Sequence, residues 1–272
     1  MIRDEDAFAR LIGHVSGAVG MPLDAYKDKC IRRRVAVRMR ACGAQSFDEY
    51  RALLDRTPGE LQRLKDALTI NVTRFYRNPE TWNALAGRLL PELWQEGSGR
   101  LMVWSAGCAS GEEPYTVAML VAEQCRTAGH PDWLARTEIH ATDVDRVSLE
   151  RAAAGVYRTD AFQDLPAPLF DRYTVPHPAG RAVVPAVRNR VTVLELELGR
   201  AAPPAPAYDL ILCRNVVIYF DRPLQEQVFV TFARLLRPGG VLVLGKVETL
   251  LGPARDLLQL VDVRERIYRR RA

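Results

Sequence analysis

Apolar residues recur at three- and four-residue steps through the first part of the chain. Phe8, Leu11, Ile12 and Val15 have the spacing of one buried helix face. After the break Gly20-Met21-Pro22, Ile31, Val35 and Met39 fall at a strict four-residue step, predicting a second helix that Gly43 stops. Ser46, with Glu49 three positions on, has capping-box spacing and opens a third helix through Tyr50, Leu53 and Leu54. Pro58 introduces a fourth, Leu61 to Leu68. The stretch TINVTRFYRNPETW (69–82) lacks periodicity and reads as a loop leading into a helix near Pro79.

The pattern changes at about residue 100. The apolar run Leu101–Ser105 ends in the small-residue loop AGCASGEE, and Pro114 opens a helix. Thr137–Ala141, Tyr208–Cys213 and Val241–Leu244 read as further strands, with a helix Val147–Ala154 after the first and the turn Pro238-Gly239-Gly240 before the last. Strands alternating with helices predict a parallel sheet covered on both faces. Residues 156–198 interrupt the alternation. Their prolines and the β-rich runs Ala182–Val187 and Arg190–Val193, on either side of Arg188-Asn189, predict an inserted antiparallel hairpin or ribbon. GRAAPPAPA (199–207) is a stiff, proline-rich loop.

With 272 residues the chain makes one large domain or two modest ones. Its 48% hydrophobic and 26% charged residues are those of a globular protein, which excludes a disordered chain, a collagen and a coiled coil. The longest apolar runs, such as Val216–Phe220, fall far short of the ~20 residues that span a bilayer. MIRDEDAFAR carries acids where a signal peptide carries bases, so the expected location is the cytoplasm, without membrane insertion. Cys30, Cys42, Cys108, Cys125 and Cys213 form no Cys-x-x-Cys pair, and the four histidines lack ligand spacing. No disulfide framework and no metal site are therefore expected. The net charge of +5 is local: Lys27–Arg40 holds seven bases against Asp28, a net +6, and the other 258 residues sum to −1. One face is thereby marked for an anionic partner.

The loop between Leu101–Ser105 and its helix lies where doubly wound sheets bind ligands. Gly107 and Gly111 allow close backbone approach. No Gly-Lys-Ser/Thr follows, and the pattern is not G-x-G-x-x-G. Glu112 and Glu113 repel a polyanion and suit a ligand with an amine or sulfonium cation and no phosphate. Asp143, ending the next strand, is placed to accept hydrogen bonds from two ribose hydroxyls. A glycine loop beside an acidic strand end is the general logic of an S-adenosylmethionine site.

NVTRFYRN (71–78), WSAGCASGEEPYTVAM (104–119), ATDVD (141–145), CRNVVIYFD (213–221) and LLRPGGVLVLGKVETL (235–250) together resemble the CheR-type chemotaxis receptor methyltransferases, as does the basic YKDKCIRRRVAVRM (26–39). The resemblance implies a small all-α N-terminal domain with linker over residues 1–95, then a Rossmann-like class I methyltransferase domain over 96–272 with a small antiparallel β-subdomain inserted at about 156–198. It implies transfer of a methyl group from S-adenosyl-L-methionine to glutamate side chains of the receptor's helices, with S-adenosyl-L-homocysteine as product. Asn71, Thr73, Arg77, Glu113 and Asp143 match cofactor-contacting positions, Arg214-Asn215 the contact pair after the later strand, and Tyr219 the tyrosine near the transferred methyl. Which of Glu112 and Glu113 faces the cofactor stays open. The chain departs from the pattern where VTVLELEL sets Glu197-Leu198 in place of an Asn-Leu pair on the adenine side, and where GKVE replaces G-x-S-E near Glu248.

A glutamate acceptor, with an ordinary pKa of roughly 4.3, is already ionised at neutral pH and needs no general base. Water exclusion and alignment then carry the reaction, and Arg77 and Tyr219 are expected to orient the carboxylate. The basic run, with Lys29, Arg33, Arg34, Arg38 and Arg40, is the expected docking face for an acidic helical bundle, the receptor's cytoplasmic part. Two other readings are a nucleic-acid methyltransferase and a non-catalytic S-adenosylmethionine sensor. Against the first, CRNVVIYFD is not the Asn/Asp-Pro-Pro-Tyr expected for amine methylation of bases, and no aromatic single-strand platform flanks the basic run. Nucleic acid is thus not the expected partner, and the chain is expected to act as a monomer.

Overall fold

The computed structural model describes residues 2–69, 72–97, 99–201, 203 and 207–272, with backbone alone at Ile2 and Arg3. It packs as two units, Met1–Ile70 with Tyr219–Gln225, and Asn71–Ile218 with Glu226–Ala272.

In the first unit, α1 (Ile2–Val19), α2 (Asp28–Cys42), α3 (Phe47–Arg56) and α4 (Glu60–Leu68) bury the residues that the periodicity marks, among them Phe8, Leu11, Ile12, Val15, Ile31, Val35, Tyr50 and Leu54. Gly43 ends α2 at a φ of 74°, and the Ser46 side chain accepts the Glu49 N–H at the start of α3. The segment Tyr219–Asp221 lies along Ala25–Lys27. Lys27 N–H donates to Tyr219 O and Asp221 N–H to Ala25 O, both at 2.8 Å, and the Tyr26 and Phe220 rings meet edge-on at 5.1 Å.

In the second unit α5 (Pro79–Ala84) runs through one π-turn, Leu85–Leu89, into α6 (Leu90–Glu96). Then come β1 (Leu101–Ala106), α7 (Glu112–Thr127), α8 (Pro131–Ala135), β2 (Thr137–Asp143), α9 (Arg146–Ala154), β3 (Val156–Tyr157), α10 (Ala167–Tyr173), β4 (Thr174–His177), β5 (Gly180–Val183), α11 (Pro185–Arg188), β6 (Val191–Glu195) and β7 (Tyr208–Cys213). The chain ends with α12 (Arg222–Leu235), β8 (Leu236–Leu244), α13 (Ala254–Leu257), β9 (Leu258–Asp262) and β10 (Ile267–Arg270). Seven strands form a sheet in the order β6-β2-β1-β7-β8-β10-β9, parallel from β6 to β8 and antiparallel at β10 and β9. Strands β1 and β7 are buried along their whole length, as central parallel strands must be. Trp82, Leu85, Leu89, Leu93 and Trp94 join their core with Tyr115, Met119 and Leu120 of α7. The architecture is α/β, a mostly parallel sheet with a separate small antiparallel sheet, and an all-α unit.

The small sheet, β3-β5-β4, is not the hairpin expected around Arg188-Asn189. Of the run Ala182–Val187, only Ala182 and Val183 lie in a strand. Pro185, which lacks an N–H to give a ladder, starts α11. Val191–Glu195 instead extends the main sheet, pairing parallel to β2 with Asp143 opposite Glu195. There Val191 and Val193 cover Ala141 and Leu149, apolar surface that an isolated hairpin would leave wet. The strand pair β9 and β10, unmarked by any strong alternation, closes the far edge of the sheet.

Candidate functional site

The loop after β1 is shaped by close approach. Gly107 has a φ of +79°, and a Cβ there would lie 2.4 Å from the Val216 side chain, so only glycine fits. The N–H groups of Gly107 and Cys108 both donate to Thr142 O, at 2.8 and 2.9 Å. The Ala109 N–H then donates to Asp143 Oδ2 at 2.9 Å, while Oδ1 accepts from the N–H groups of Val144 and Asp145 at 2.8 and 3.0 Å. Asp143 thus ties the glycine loop to the end of β2. Burial pushes its carboxyl above the ordinary range, and these three backbone bonds oppose the rise.

The two glutamates of the first turn of α7 diverge. Glu113 accepts from Ser105 Oγ at 2.9 Å and pairs with Arg214 at 3.3 Å, which puts it under the ends of β1 and β7. Glu112 accepts from Ser110 Oγ at 2.8 Å and from the Thr73 side chain. Burial pushes both carboxyls up. Arg214, 7% exposed, also donates to Arg77 O at 2.8 Å and Asn78 Oδ1 at 2.9 Å and lies 5.0 Å over the Trp82 ring. It clamps the loop 72–78 to the end of β7. Arg77 itself donates to Val72 O at 2.8 Å and acts on Glu113 through its charge. Thr73, Arg77, Ser110, Glu112, Arg151 and Tyr157 line one cleft of about 730 Å³.

Asn215 turns the chain after β7 with a φ of 62°, a conformation asparagine tolerates. Glu248 holds that turn: its carboxylate, 2% exposed, accepts the N–H groups of Asn215, Val216 and Gly245. Sequence reasoning had marked Glu248 only as part of a motif departure, although an acid just after a buried strand end was the signal. Beyond β6, the Leu196 N–H donates to Asp143 O at 2.9 Å. Leu198 is buried, and Glu197 pairs with Arg200 at 3.2 Å.

Thr73, Arg77, Gly107, Glu112, Glu113, Asp143, Glu197, Leu198, Arg214 and Asn215 therefore all belong to the second unit, at or beside the carboxyl ends of β6, β2, β1 and β7. Asn71 lies outside the described residues. Tyr219 belongs to the first unit, where Arg34 acts on it electrostatically. The basic helix divides in two. Lys29, Arg33 and Arg40 are exposed along one stripe, whereas Arg34 donates to Ala67 O and Arg38 grips the buried Glu60. Arg34 and Arg38 thus hold the helical unit together, because the four-residue step that buries Ile31 and Val35 turns both inward. Burial pushes the thiols of Cys108 and Cys213 well up, so neither is a ready nucleophile. Among the described residues no His, Cys, Asp and Glu group is arranged to hold a metal ion, and no helix is long and apolar enough to cross a membrane.

Residues 71–267 match the family described as CheR methyltransferase, SAM binding domain, and residues 6–69 match CheR methyltransferase, all-alpha domain. The chain belongs to the CheR methyltransferase family. It is 35% identical over 250 residues to the probable biofilm formation methyltransferase WspC of Pseudomonas aeruginosa, a match that covers 90% of this chain and 57% of that protein. It is 34% identical over 258 residues to the chemotaxis protein methyltransferase of Klebsiella aerogenes, covering 92% of this chain and 85% of the relative. The protein of that name from Listeria monocytogenes is 33% identical over 238 residues, covering 87% of each. This member of the CheR family is an S-adenosylmethionine-dependent methyltransferase. The residues present fit that donor: Arg214 Nε and Glu197 Oε1 are buried without a hydrogen-bond partner among the described residues, and Glu113 and Asp143 set negative charge beside the glycine loop.

Proposed function

We propose that the chain methylates glutamate carboxylates on the cytoplasmic helices of a chemoreceptor, forming glutamyl methyl esters and S-adenosyl-L-homocysteine in chemotaxis adaptation. The observation that carries the reading is the desolvated cluster of Glu112, Glu113 and Asp143 around the Gly107 loop, a site for a cationic nucleoside without phosphate. When bound, the donor supplies an electrophilic methyl group on a sulfonium. Asp143 takes the ribose hydroxyls, Leu198 packs on the base, and Thr73, Arg77, Glu113 and the Arg214-Asn215 pair hold the methionyl end and sugar. Arg77 orients the acceptor carboxylate. No residue need accept a proton, because the acceptor is ionised at neutral pH, and an anion attacking a sulfonium needs no metal.

Residues 1–95 serve in this reading as docking domain and linker, and 96–272 as the methyltransferase domain. The exposed bases Lys29, Arg33 and Arg40 face the acidic receptor bundle; the protein works in the cytoplasm as a monomer. The test offers labelled S-adenosylmethionine with a receptor cytoplasmic fragment, with RNA, and alone. Base-labile label on the receptor is expected. Label on RNA, or tight binding without transfer to the receptor, overturns the proposal.

A further inference from the structure

The carboxyl ends of β1, β2 and β6 stand side by side, one strand spacing of about 4.8 Å apart. The Gly107 loop caps the first and Asp143 the second. Glu197 follows the third by two residues, just after Leu196, whose N–H is bonded to Asp143 O. A nucleoside whose sugar hydroxyls sit on Asp143 and whose thioether end lies at the glycine loop must send its base toward Glu197. One oxygen of that side chain, Oε2, pairs with Arg200 at 3.2 Å; the other, Oε1, is buried with no partner among the described residues. A buried acceptor left open is costly unless a donor fills it.

We infer that Glu197 reads the exocyclic amine of the base and makes this chain selective for a 6-amino over a 6-oxo purine in its methyl donor. This deepens the donor site proposed above and rests on that reading. The chemistry follows from the side chain. An amide at this position both donates and accepts, and by turning over it satisfies an amine or a carbonyl alike. An ionised carboxylate only accepts. It bonds the N–H of a 6-amino group and repels a 6-oxo oxygen, which would face it lone pair to lone pair. Arg200, on the other oxygen, keeps the group oriented and favours its ionised form, against the burial that pushes Glu197 up.

Isothermal titration calorimetry at pH 8 with S-adenosylhomocysteine and its 6-oxo analogue, S-inosylhomocysteine, tests this without turnover. The unsubstituted protein is expected to prefer the adenosyl ligand by about tenfold or more. Glu197→Gln should bring the ratio close to one, mainly by admitting the inosyl ligand, while Arg200→Gln should weaken both ligands and keep the preference. A ratio near one in the unsubstituted protein overturns the inference even if Glu197→Gln fails to fold. So does a folded Glu197→Gln protein that keeps the original preference. If the folded, unsubstituted protein takes up neither ligand, the donor site itself fails, which is a different result from binding without discrimination.

Discussion

Arg38 of α2 reaches Glu60, the first residue of α4, with two nitrogens: Nε lies 3.0 Å from one carboxylate oxygen and Nη2 2.7 Å from the other. The Tyr50 hydroxyl donates to the first of these oxygens at 2.9 Å. Glu60 is 1% exposed, so this fork joins α2, α3 and α4 through one desolvated carboxylate. Burial works against ionisation of Glu60, yet the hydrogen bonds from Arg38 and Tyr50 hold its carboxyl below the ordinary range.

Arg38→Ala leaves that buried carboxylate with the looser, exposed Arg63 at 3.6 Å in place of the two-nitrogen fork, and should cost about 2–4 kcal/mol of the helical unit's stability. An acid lowered in the fold contributes stability above its unfolded value and loses it as the pH falls through the folded one. The gap between the two proteins in urea unfolding should therefore be full at pH 7 and shrink on acidification below pH 4. An equal gap at both would place the stabilisation elsewhere.

Docking should behave in the opposite way. Reversing Arg33 and Arg40 to Glu, on the exposed stripe, should raise the Michaelis constant for receptor several-fold, and more at low salt, with melting unchanged. Calorimetry with S-adenosylhomocysteine should not register the change. If these reversals leave receptor kinetics intact, the exposed stripe is a solvated face only.

Gly107→Ala combines a left-handed φ of +79° with a Cβ 2.4 Å from Val216. The backbone strain alone costs about 1–2 kcal/mol, and the clash shifts the loop that leans on Thr142 O. Donor affinity should fall at least about tenfold. Adding Val216→Ala should recover part of it, which a calorimetric double-mutant cycle reads directly.

Burial holds Glu112, Glu113 and Asp143 above the ordinary carboxylate range. For acids raised in the fold, the stability they contribute is present below the unfolded value and lost as pH rises through the folded one. A cationic ligand reverses that loss by favouring the ionised forms. Binding of S-adenosylmethionine should thus release protons across this window and tighten as the pH rises, with a shallower trend for the neutral-sulfur product. Titrations in buffers of different ionisation enthalpy measure the release; identical apparent enthalpies would count against the coupling.

Glu248→Gln replaces one acceptor oxygen by an NH₂ that must face the N–H of Asn215 and Gly245 or that of Val216. A loss of about 2–3 kcal/mol is expected, with weaker donor binding because the Asn215 turn is no longer held. Thermal melting with and without S-adenosylhomocysteine separates the two effects.

Local patterns made much of this legible. The four-residue steps through Val15 and Val35, the Ser46–Glu49 cap, the glycine after β1 and the acid ending β2 are each satisfied within a few residues or along one helix face, so the chain itself carries them. The Glu112/Glu113 ambiguity was not of that kind. Adjacent residues on a helix differ by about 100° in direction, and only the positions of Ser105, Arg214 and Thr73, distant in sequence, decide which carboxylate lies under the strand ends.

The same division explains why the inserted antiparallel sheet was legible but not its strands, and why the basic helix was read only in part. Composition and spacing settled that residues 27–40 form a charged helix with one apolar face. They were silent on which arginines that face would carry inward, because Glu60 and Ala67 reach α2 only through folding. Likewise, Val191–Glu195 is β-prone as a local string, but its partner, β2, lies some fifty residues back along the chain. Strand partnership is a long-range choice made by burying Val191 and Val193 against Ala141 and Leu149, and that choice ties Leu196, the residue before Glu197, to Asp143.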